Sequence, residues 1–229
     1  KQTKETIKKH FSSWKKKDVP QFNPPKEAPL KGIKRKTVNY KGEEKVMLAF
    51  RTANFKSKDK ATLTLIDMLL DNGEAGLINL NLTNPQKVRA ASSFTSFNDD
   101  YGGHYLSAIP KEGQTLEQAE KLLLGEVEKL KKGNFDESII SGVLISFEKG
   151  KKGGLESNSG RIDVMKEAFL RRSSVEEVMN FTEELKKVTK KDIISMANKY
   201  FGNNYVSVYR VDKDYSFPKI EKPNLEKVT

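Results

Sequence analysis

The chain has 229 residues, with 36% hydrophobic and 32% charged side chains and a formal net charge of +11. This composition is typical of a soluble globular protein with one main domain, and it excludes a membrane-spanning class because no apolar run approaches the roughly 18 residues that a span needs. Cysteine is absent, and the two histidines, His10 and His104, have no second His or Glu at helical spacing, so a protein-built zinc or thiol centre is not expected.

The first 36 residues carry most of the positive charge, because twelve Lys and Arg face three acidic residues there, a net +9. Ile7, Phe11 and Trp14 recur at i, i+4 and i+7, which predicts an amphipathic helix that docks through one face. Four prolines follow, and they disfavour both helix and central strand because proline lacks the amide donor. We therefore interpret residues 20–36 as an extended linker.

The basic lead-in raises the question of nucleic-acid binding. Such a site would need Lys and Arg interleaved with stacking aromatic side chains on a folded face, and the charge here is concentrated in the lead-in instead. A solvated basic linker is the favoured interpretation, and an acidic partner surface is the next. Binding of a polyanion or an anionic membrane surface stays open as an alternative.

From Thr37 the pattern becomes that of a packed α+β domain. The apolar run at residues 45–51 predicts a strand buried on both faces. A helix is predicted from Asp59, a candidate N-cap, through Leu70, with Asn72-Gly73 as its stop signal. A second short helix is predicted from Ala75 to about Leu82.

A hairpin and a closing strand complete the predicted sheet. Residues 88–97 and 101–109 are separated by Asn98-Asp99-Asp100, which is typical of two antiparallel strands joined by a turn. Residues 205–211 alternate apolar and polar side chains and predict a final strand. The sheet therefore has at least three strands before residue 110.

The second half is predicted to be mostly helical. Thr115 and Gln118 form a capping-box pattern that opens a helix ending at Gly133, and Asp136 opens the next. Ser174 with Glu177, and Thr189 with Asp192, are further start signals. The last three helices are predicted at about residues 162–170, 175–185 and 192–201.

Gly150, Gly153 and Gly154 lie with two lysines in a stretch that superficially suggests a phosphate loop. The stretch lacks both the GxxxxGK[ST] order and a preceding strand, so we predict a hinge or mobile break between helices there. His104 could bind an anion or a metal, but a lone strand histidine beside a turn is more often a hydrogen-bonded or exposed side chain.

The order of these elements resembles the non-catalytic repeat, most closely the second domain, of the insulinase-like M16 zinc metallopeptidases. The likeness covers about residues 37–212 and implies an α+β fold with a mixed, mostly antiparallel sheet packed against several helices. On this resemblance residues 1–19 are the tail helix of a preceding repeat, residues 37–213 the M16-like domain, and residues 214–229 a linker to a further repeat. The elements that carry it are the strand at 45–51, the helix ending at Gly73, Gly76-Leu77, the hairpin, the helix before Gly133-Asn134-Phe135-Asp136, and Lys199-Tyr200-Phe201-Gly202 before the last strand.

The resemblance implies that repeats close like a clamshell around a peptide, and that the catalytic repeat binds zinc through an inverted His-x-x-Glu-His motif. The helix that would carry this motif presents Leu63, Thr64, Ile66 and Asp67 instead. No catalytic or metal-ligating residue is therefore expected in this segment, and zinc is expected in the catalytic repeat of the parent protein. The implied partners are that repeat and a peptide substrate, and the implied location, by likeness to bacterial multi-repeat members, is the periplasm or cell envelope.

Some non-catalytic repeats of the family supply an Arg and, seven residues later, a Tyr that reach the substrate. Asn81 and Val88 stand at these positions here, so the pair is lost, and Arg89 is the candidate replacement one residue away. Asn81 and Arg89 are thus the candidate substrate contacts, although Arg89 also suits an ordinary surface role at a strand start.

The leading hypothesis is a catalytically inert domain that forms part of the peptide-enclosing chamber of a larger zinc metallopeptidase and packs on its catalytic repeat. The alternative is a free-standing assembly or binding subunit that has the M16 fold and no peptidase activity. A basic domain that binds polyanions is the third hypothesis.

Overall fold

The computed structural model of this protein describes residues 1–20, 23, 25, 27–216 and 218. Contacts divide the chain into two units, Lys1–Leu30 and Lys31–Thr229. The first unit contains helix α1 (Gln2–Phe11), none of whose side chains is buried, and the ring of Phe11 meets that of Trp14 edge to face at 4.8 Å. The predicted helix is present, whereas the docking of its apolar face stays a prediction.

The second unit contains a five-stranded sheet in the order β1-β5-β2-β4-β3. β1 runs parallel to β5, and the other neighbouring pairs are antiparallel, so the sheet is mixed and mostly antiparallel, as predicted. The predicted hairpin is the β3–β4 pair. The strands are β1 (Lys34–Asn39), β2 (Lys45–Thr52), β3 (Ala90–Phe97), β4 (Gly102–Ile109) and β5 (Tyr205–Val211).

Six helices accompany this sheet in the described part of the second unit. The capping boxes predicted at Thr115, Ser174 and Thr189 are all formed, because each side chain accepts a hydrogen bond from the backbone three residues later. The helices are α2 (Lys60–Leu70), α3 (Leu116–Lys132), α4 (Ser138–Glu156), α5 (Asn158–Arg171), α6 (Val175–Lys186) and α7 (Lys190–Tyr200).

The helices form two layers. α2, α3 and α7 pack against the sheet, and α7 also packs against both α2 and α3. We call these helices together with the sheet the inner layer. α4, α5 and α6 pack against one another and reach the inner layer through α2, and we call them the outer helices. The hydrophobic core lies between the sheet and the inner helices, where burial of apolar surface is most complete. Its largest fully buried side chains are Leu48, Phe50, Leu63, Leu65, Ile66, Leu69, Leu70, Ile78, Leu82, Leu106, Leu123 and Leu130.

Two sequence predictions about the strands are wrong in detail. Strand β2 alternates between buried and more exposed positions, so only the face with Val46, Leu48 and Phe50 is fully covered. The reason is that helices pack on one side of the sheet. β1 begins at Lys34, inside the predicted linker, because residues 34–39 pair with β5.

The helical predictions also need three corrections. Asp59 caps no helix with its side chain, since its carboxylate accepts hydrogen bonds from Tyr200 Oη at 2.7 Å and Lys199 Nζ at 2.5 Å. The predicted helix from Ala75 is a short π-helical turn at Asn79–Thr83. The break predicted at residues 150–154 is absent, because α4 continues to Glu156 and the chain breaks at Ser157, which caps α5.

Several predicted boundaries fall on residues that the structure does not describe. Residues 21, 22, 24 and 26 of the predicted linker lie outside the described residues, as does the C-terminal linker apart from residues 214–216 and 218. The division into tail helix, linker, domain and linker therefore stays a prediction. Within the described residues no helix is both long and apolar enough to cross a membrane.

Candidate functional site

Helix α2 carries the four residues that stand where a catalytic repeat would carry the zinc motif. Leu63 and Ile66 are completely buried in the core, and Thr64 is half-buried. Asp67 is the only one of the four with a carboxylate, and it points its oxygens at strand β3. Among the described residues, no group of three or more His, Cys, Asp or Glu side chains is placed to hold a metal ion.

Asp67 belongs to a polar cluster with Ser93 and His104 that joins α2 to the hairpin. Ser93 Oγ donates to Asp67 Oδ1 at 2.5 Å and lies 3.0 Å from His104 Nε2, and the backbone N–H of Thr95 donates to Asp67 Oδ2 at 3.1 Å. When Asp67 is ionised, its carboxylate can only accept from Ser93 Oγ–H, and Ser93 Oγ then accepts from the Nε2–H tautomer of His104. His104 Nδ1 is then a buried acceptor without a hydrogen-bond partner among the described residues.

This cluster resembles a hydrolase triad only in composition. In that tautomer His104 Nε2 already carries a proton and cannot take the one on Ser93, and the imidazole is fully buried. Burial lowers the pKa of His104 to about 3 and raises that of Asp67 to about 6, so His104 is neutral above about pH 3 and Asp67 becomes protonated below about pH 6. The arrangement therefore ties α2 to the sheet, and His104 takes the hydrogen-bonded role that a lone strand histidine usually has.

The position of Asp67 in the sequence indicates a polar contact inside the protein, although no motif predicted this cluster. Asp67 lies one residue after Ile66 and four after Leu63, within the apolar stripe of α2. A carboxylate in such a position must find donors inside the protein, because burying an unpaired charge is costly. The identity of the donors could not be read from the sequence.

The candidate substrate contacts, Asn81 and Arg89, both have partners within the domain. Asn81 lies in the π-helical turn, and its Nδ2 donates to Glu126 Oε2 at 2.7 Å. The exposed Arg89 forms an ion pair with Glu43, and its backbone N–H donates to Ile109 at the start of the β3–β4 ladder. A substrate-contacting role for either residue stays a prediction.

The hinge candidates Gly150, Gly153 and Gly154 all lie inside helix α4. A Cβ added at any of them would meet no atom within 4 Å, so packing does not require glycine there. Glycine weakens a helix interior because it gains the most backbone freedom on unfolding. Three such residues make the last turns of α4 intrinsically weak, while the hinge itself stays a prediction.

Helix α5 presents apolar side chains to solvent. Ile162, Met165 and Phe169, at i, i+3 and i+7, are 61%, 59% and 83% exposed, and we call them the exposed α5 face. Only Ala168 of this helix is buried. Contiguous apolar side chains on a helix face commonly mark an interaction surface, because isolated soluble domains seldom expose them together.

Comparison with known proteins identifies the family that the chain matches. The family model described as the peptidase M16 inactive domain matches residues 1–145. The zinc protease PqqE of Helicobacter pylori is 26% identical over 204 residues, which are 86% of this chain and 45% of that protein.

Solved structures share the fold. A protease from Helicobacter pylori superposes with a TM-score of 0.82 at 23% identity, over 92% of this chain and 52% of that one. The periplasmic protease PqqL of Escherichia coli gives a TM-score of 0.72 at 12% identity, over 93% of this chain and 25% of that one. The chain thus spans about half the length of the Helicobacter pylori proteins that it matches.

Proposed function

Because this chain belongs to the peptidase M16 inactive-domain family, we propose that it forms part of the peptide-enclosing chamber of a larger zinc metallopeptidase and packs on that protein's catalytic repeat. The lengths of the similar proteins support this arrangement. A unit of this fold accounts for 52% of the Helicobacter pylori protease and 25% of the Escherichia coli protease, so in both it is one part of a longer chain.

The exposed α5 face is the single observation that carries the proposal. Ile162, Met165 and Phe169 project from a helix that contributes almost nothing to the core. Contact with another repeat would remove these side chains from water, which contributes about 25 cal/mol per Å² of apolar surface. We therefore propose this face as the contact with the catalytic repeat.

The catalytic repeat would supply the zinc ion and the activated water. The residues of α2 at the corresponding place, Leu63 and Ile66, belong to the hydrophobic core and offer no metal ligand. On this proposal the chain alone cleaves no peptide, and its contribution is to hold the partner repeat and the peptide. A periplasmic or cell-envelope location is part of the proposal, and it is supported by the likeness to the periplasmic Escherichia coli protease.

The test is reconstitution. The chain is mixed with the catalytic repeat of its parent protein, and both complex formation and chelator-sensitive cleavage of a fluorogenic peptide are measured. We expect complex formation and activity that neither component has alone. Replacing Ile162, Met165 and Phe169 together by Ser should abolish both, because the apolar contact is lost.

Leu80→Ser is the matched control, since Leu80 is 46% exposed and lies outside the exposed α5 face. This variant should form the complex and support cleavage as the wild type does. Chelator-sensitive cleavage by the purified chain alone would overturn the proposal. Complex formation that is unchanged in the triple Ser variant would show that the contact lies elsewhere.

A further inference from the structure

A groove of about 1360 Å³ lies between the loop before α2 and the outer helices. Its lining combines aromatic rings with cations, and we call it the basic groove. The residues that characterise it are Phe55, Lys60, Lys151, Arg171, Ser173 and Phe181.

Two cations share one aromatic ring in this groove. Lys60 Nζ lies 3.8 Å from the ring centroid of Phe55 and 4.6 Å from that of Phe181, and the guanidinium carbon of Arg171 lies 4.3 Å from the Phe55 centroid. Burial lowers the pKa of Lys60, and the charge of Arg171 lowers it further against the opposing effect of Glu167. Two positive charges held this close on an apolar surface favour a negatively charged ligand.

Four of the five acidic side chains that line the groove already have partners within the domain. Asp163 pairs with Lys166 at 2.6 Å, and Glu167 pairs with Arg171 at 3.2 Å. Glu177 and Asp192 close the capping boxes at the starts of α6 and α7. Glu184 raises the pKa of Lys60 without forming an ion pair with it. Lys60 therefore has no ion-pair partner among the described residues.

Two further groups in the groove have no anionic partner within the described residues. Lys151 Nζ donates to the backbone carbonyls of Val178 and Met179 and to Thr182 Oγ1, and burial lowers its pKa against the opposing effect of Glu183. Ser173 Oγ is buried without a hydrogen-bond partner in the described part of the chain. An acceptor on a ligand would give this buried hydroxyl the partner that it lacks.

We propose that the basic groove binds an extended acidic peptide segment. Its carboxylates would pair with Lys60 and, in competition with Glu167 and Asp99, with Arg171, and its apolar side chains would cover the rings of Phe55 and Phe181. The groove exceeds the roughly 300–1,000 Å³ of common small-ligand pockets, so it has room for several residues of peptide. A nucleic acid would bring a phosphate at every nucleotide toward the five acidic side chains of the lining, whereas a peptide can place a few carboxylates at the cations and apolar side chains elsewhere, which favours a peptide.

The inference rests on the proposed function, because the peptide would be one that the chamber encloses. Its test needs only this chain. A fluorescein-labelled peptide that combines Glu and Phe residues is titrated by fluorescence anisotropy, and the comparison peptide has Gln in place of each Glu. We expect the acidic peptide to bind at least about tenfold more tightly, since one charge-assisted hydrogen bond is enough for that ratio.

Variants separate the groove from the overall positive charge. Lys60→Gln with Arg171→Gln should reduce the affinity for the acidic peptide about tenfold or more, whereas Lys34→Gln with Lys36→Gln removes the same charge from exposed strand β1 and should change it little. Val164→Trp keeps every charge and obstructs the groove, so it should also weaken binding if the groove is the site. Urea unfolding of each variant checks that it is folded.

Three outcomes would overturn the proposal. The first is equal affinity for the two peptides, and the second is an equal loss of affinity in the groove and β1 variants. The third is displacement of the acidic peptide by a single-stranded oligonucleotide at equal charge concentration. Selective peptide binding without reconstituted peptidase activity would support the basic groove and reject the chamber role. Reconstituted activity without selective peptide binding would support the chamber role and reject the basic groove as a peptide site.

Discussion

The inner layer and the outer helices of the second unit differ in the number of residues that they bury. α2 buries seven residues, whereas α4 buries Ile140 and Val143 and α5 buries only Ala168. The inner layer thus has enough apolar contact to hold itself together. The outer helices keep apolar faces and glycines at the surface, which is the arrangement expected of a region that contacts other molecules.

Buried polar groups do not divide along the same line. Glu120 in the inner layer is 4% exposed and accepts hydrogen bonds from four side chains. The buried atoms without a partner among the described residues are Thr52 Oγ1 and His104 Nδ1 in the inner layer and Ser173 Oγ beside the outer helices. The donors to Glu120 are Arg35, Tyr205, Ser207 and Tyr209, at 2.6 to 2.9 Å.

The largest effect is expected at Glu120. Its removal leaves three buried hydroxyls and part of Arg35 without an acceptor, so Glu120→Ala should lower the free energy of unfolding by about 3–5 kcal/mol. Glu117→Ala on the exposed side of α3 is the control and should change it by less than about 0.5 kcal/mol. Urea denaturation measures both, and similar small changes would show that the inner layer does not depend on this carboxylate.

Lowering the pH should have smaller and opposite effects on stability through Asp67 and His104. The pKa of His104 is lowered from 6.5 to about 3, so its contribution to stability is present above pH 6.5 and is lost as the pH falls. The pKa of Asp67 is raised from 3.8 to about 6, so its contribution is present below pH 3.8 and is lost as the pH rises through 6. Between these limits the two contributions oppose each other.

Substituting Asp67 and His104 in turn should separate their two contributions to stability. Between pH 6 and pH 3.8, His104→Gln should gain stability relative to wild type as the pH falls, and Asp67→Asn should lose it. Each slope is limited to about 1.4 kcal/mol per pH unit for one proton. Urea unfolding at a series of pH values measures the slopes, and parallel profiles for all three proteins would contradict the assignment.

The glycines of the outer helices should give effects near 1 kcal/mol. Gly150→Ala should raise the free energy of unfolding by about 0.5–1 kcal/mol, because alanine favours a helix and its Cβ meets no atom within 4 Å. Gly160→Ala should lower it by about 1–3 kcal/mol, because the Cβ would lie 1.9 Å from the Gly154 carbonyl oxygen. Hydrogen exchange in residues 147–156 tests the hinge, which predicts slower exchange in Gly150→Ala.

The smallest effect on stability is expected at the exposed α5 face. Phe169→Ser should change the free energy of unfolding by less than about 0.5 kcal/mol, because the side chain is 83% exposed. Thermal or urea unfolding of the isolated chain provides the measurement. A loss above about 2 kcal/mol would show that Phe169 belongs to the fold and would remove the contrast between the two regions.

Local patterns predicted the elements well. The capping boxes at Thr115, Ser174 and Thr189, the hairpin and the last strand are confirmed, because each depends on residues close together in the chain. The error at residues 150–154 has a local cause as well. Glycines there suggested a break, but helix propensity differs by only about 1 kcal/mol between Gly and Ala, and the neighbouring helices outweigh it.

The candidate site could be predicted only in part. The M16 fold and the lack of the zinc motif followed from the order of elements and from the residues of α2. The roles of Asp59 and Asp67 did not, because a carboxylate on a helix is compatible with a cap, a surface ion pair or a buried contact. The structure selects the buried contact for both.

Most helix and strand positions are encoded locally in the amino-acid sequence, since caps, turns and apolar periodicity act over a few residues. The pairing of distant polar and aromatic groups became visible only in the folded chain: Glu120 with Tyr209, Asp67 with Ser93, and Lys60 with Phe181. These contacts join residues that are dozens of positions apart. The packing of layers brings them together, and no local preference encodes it.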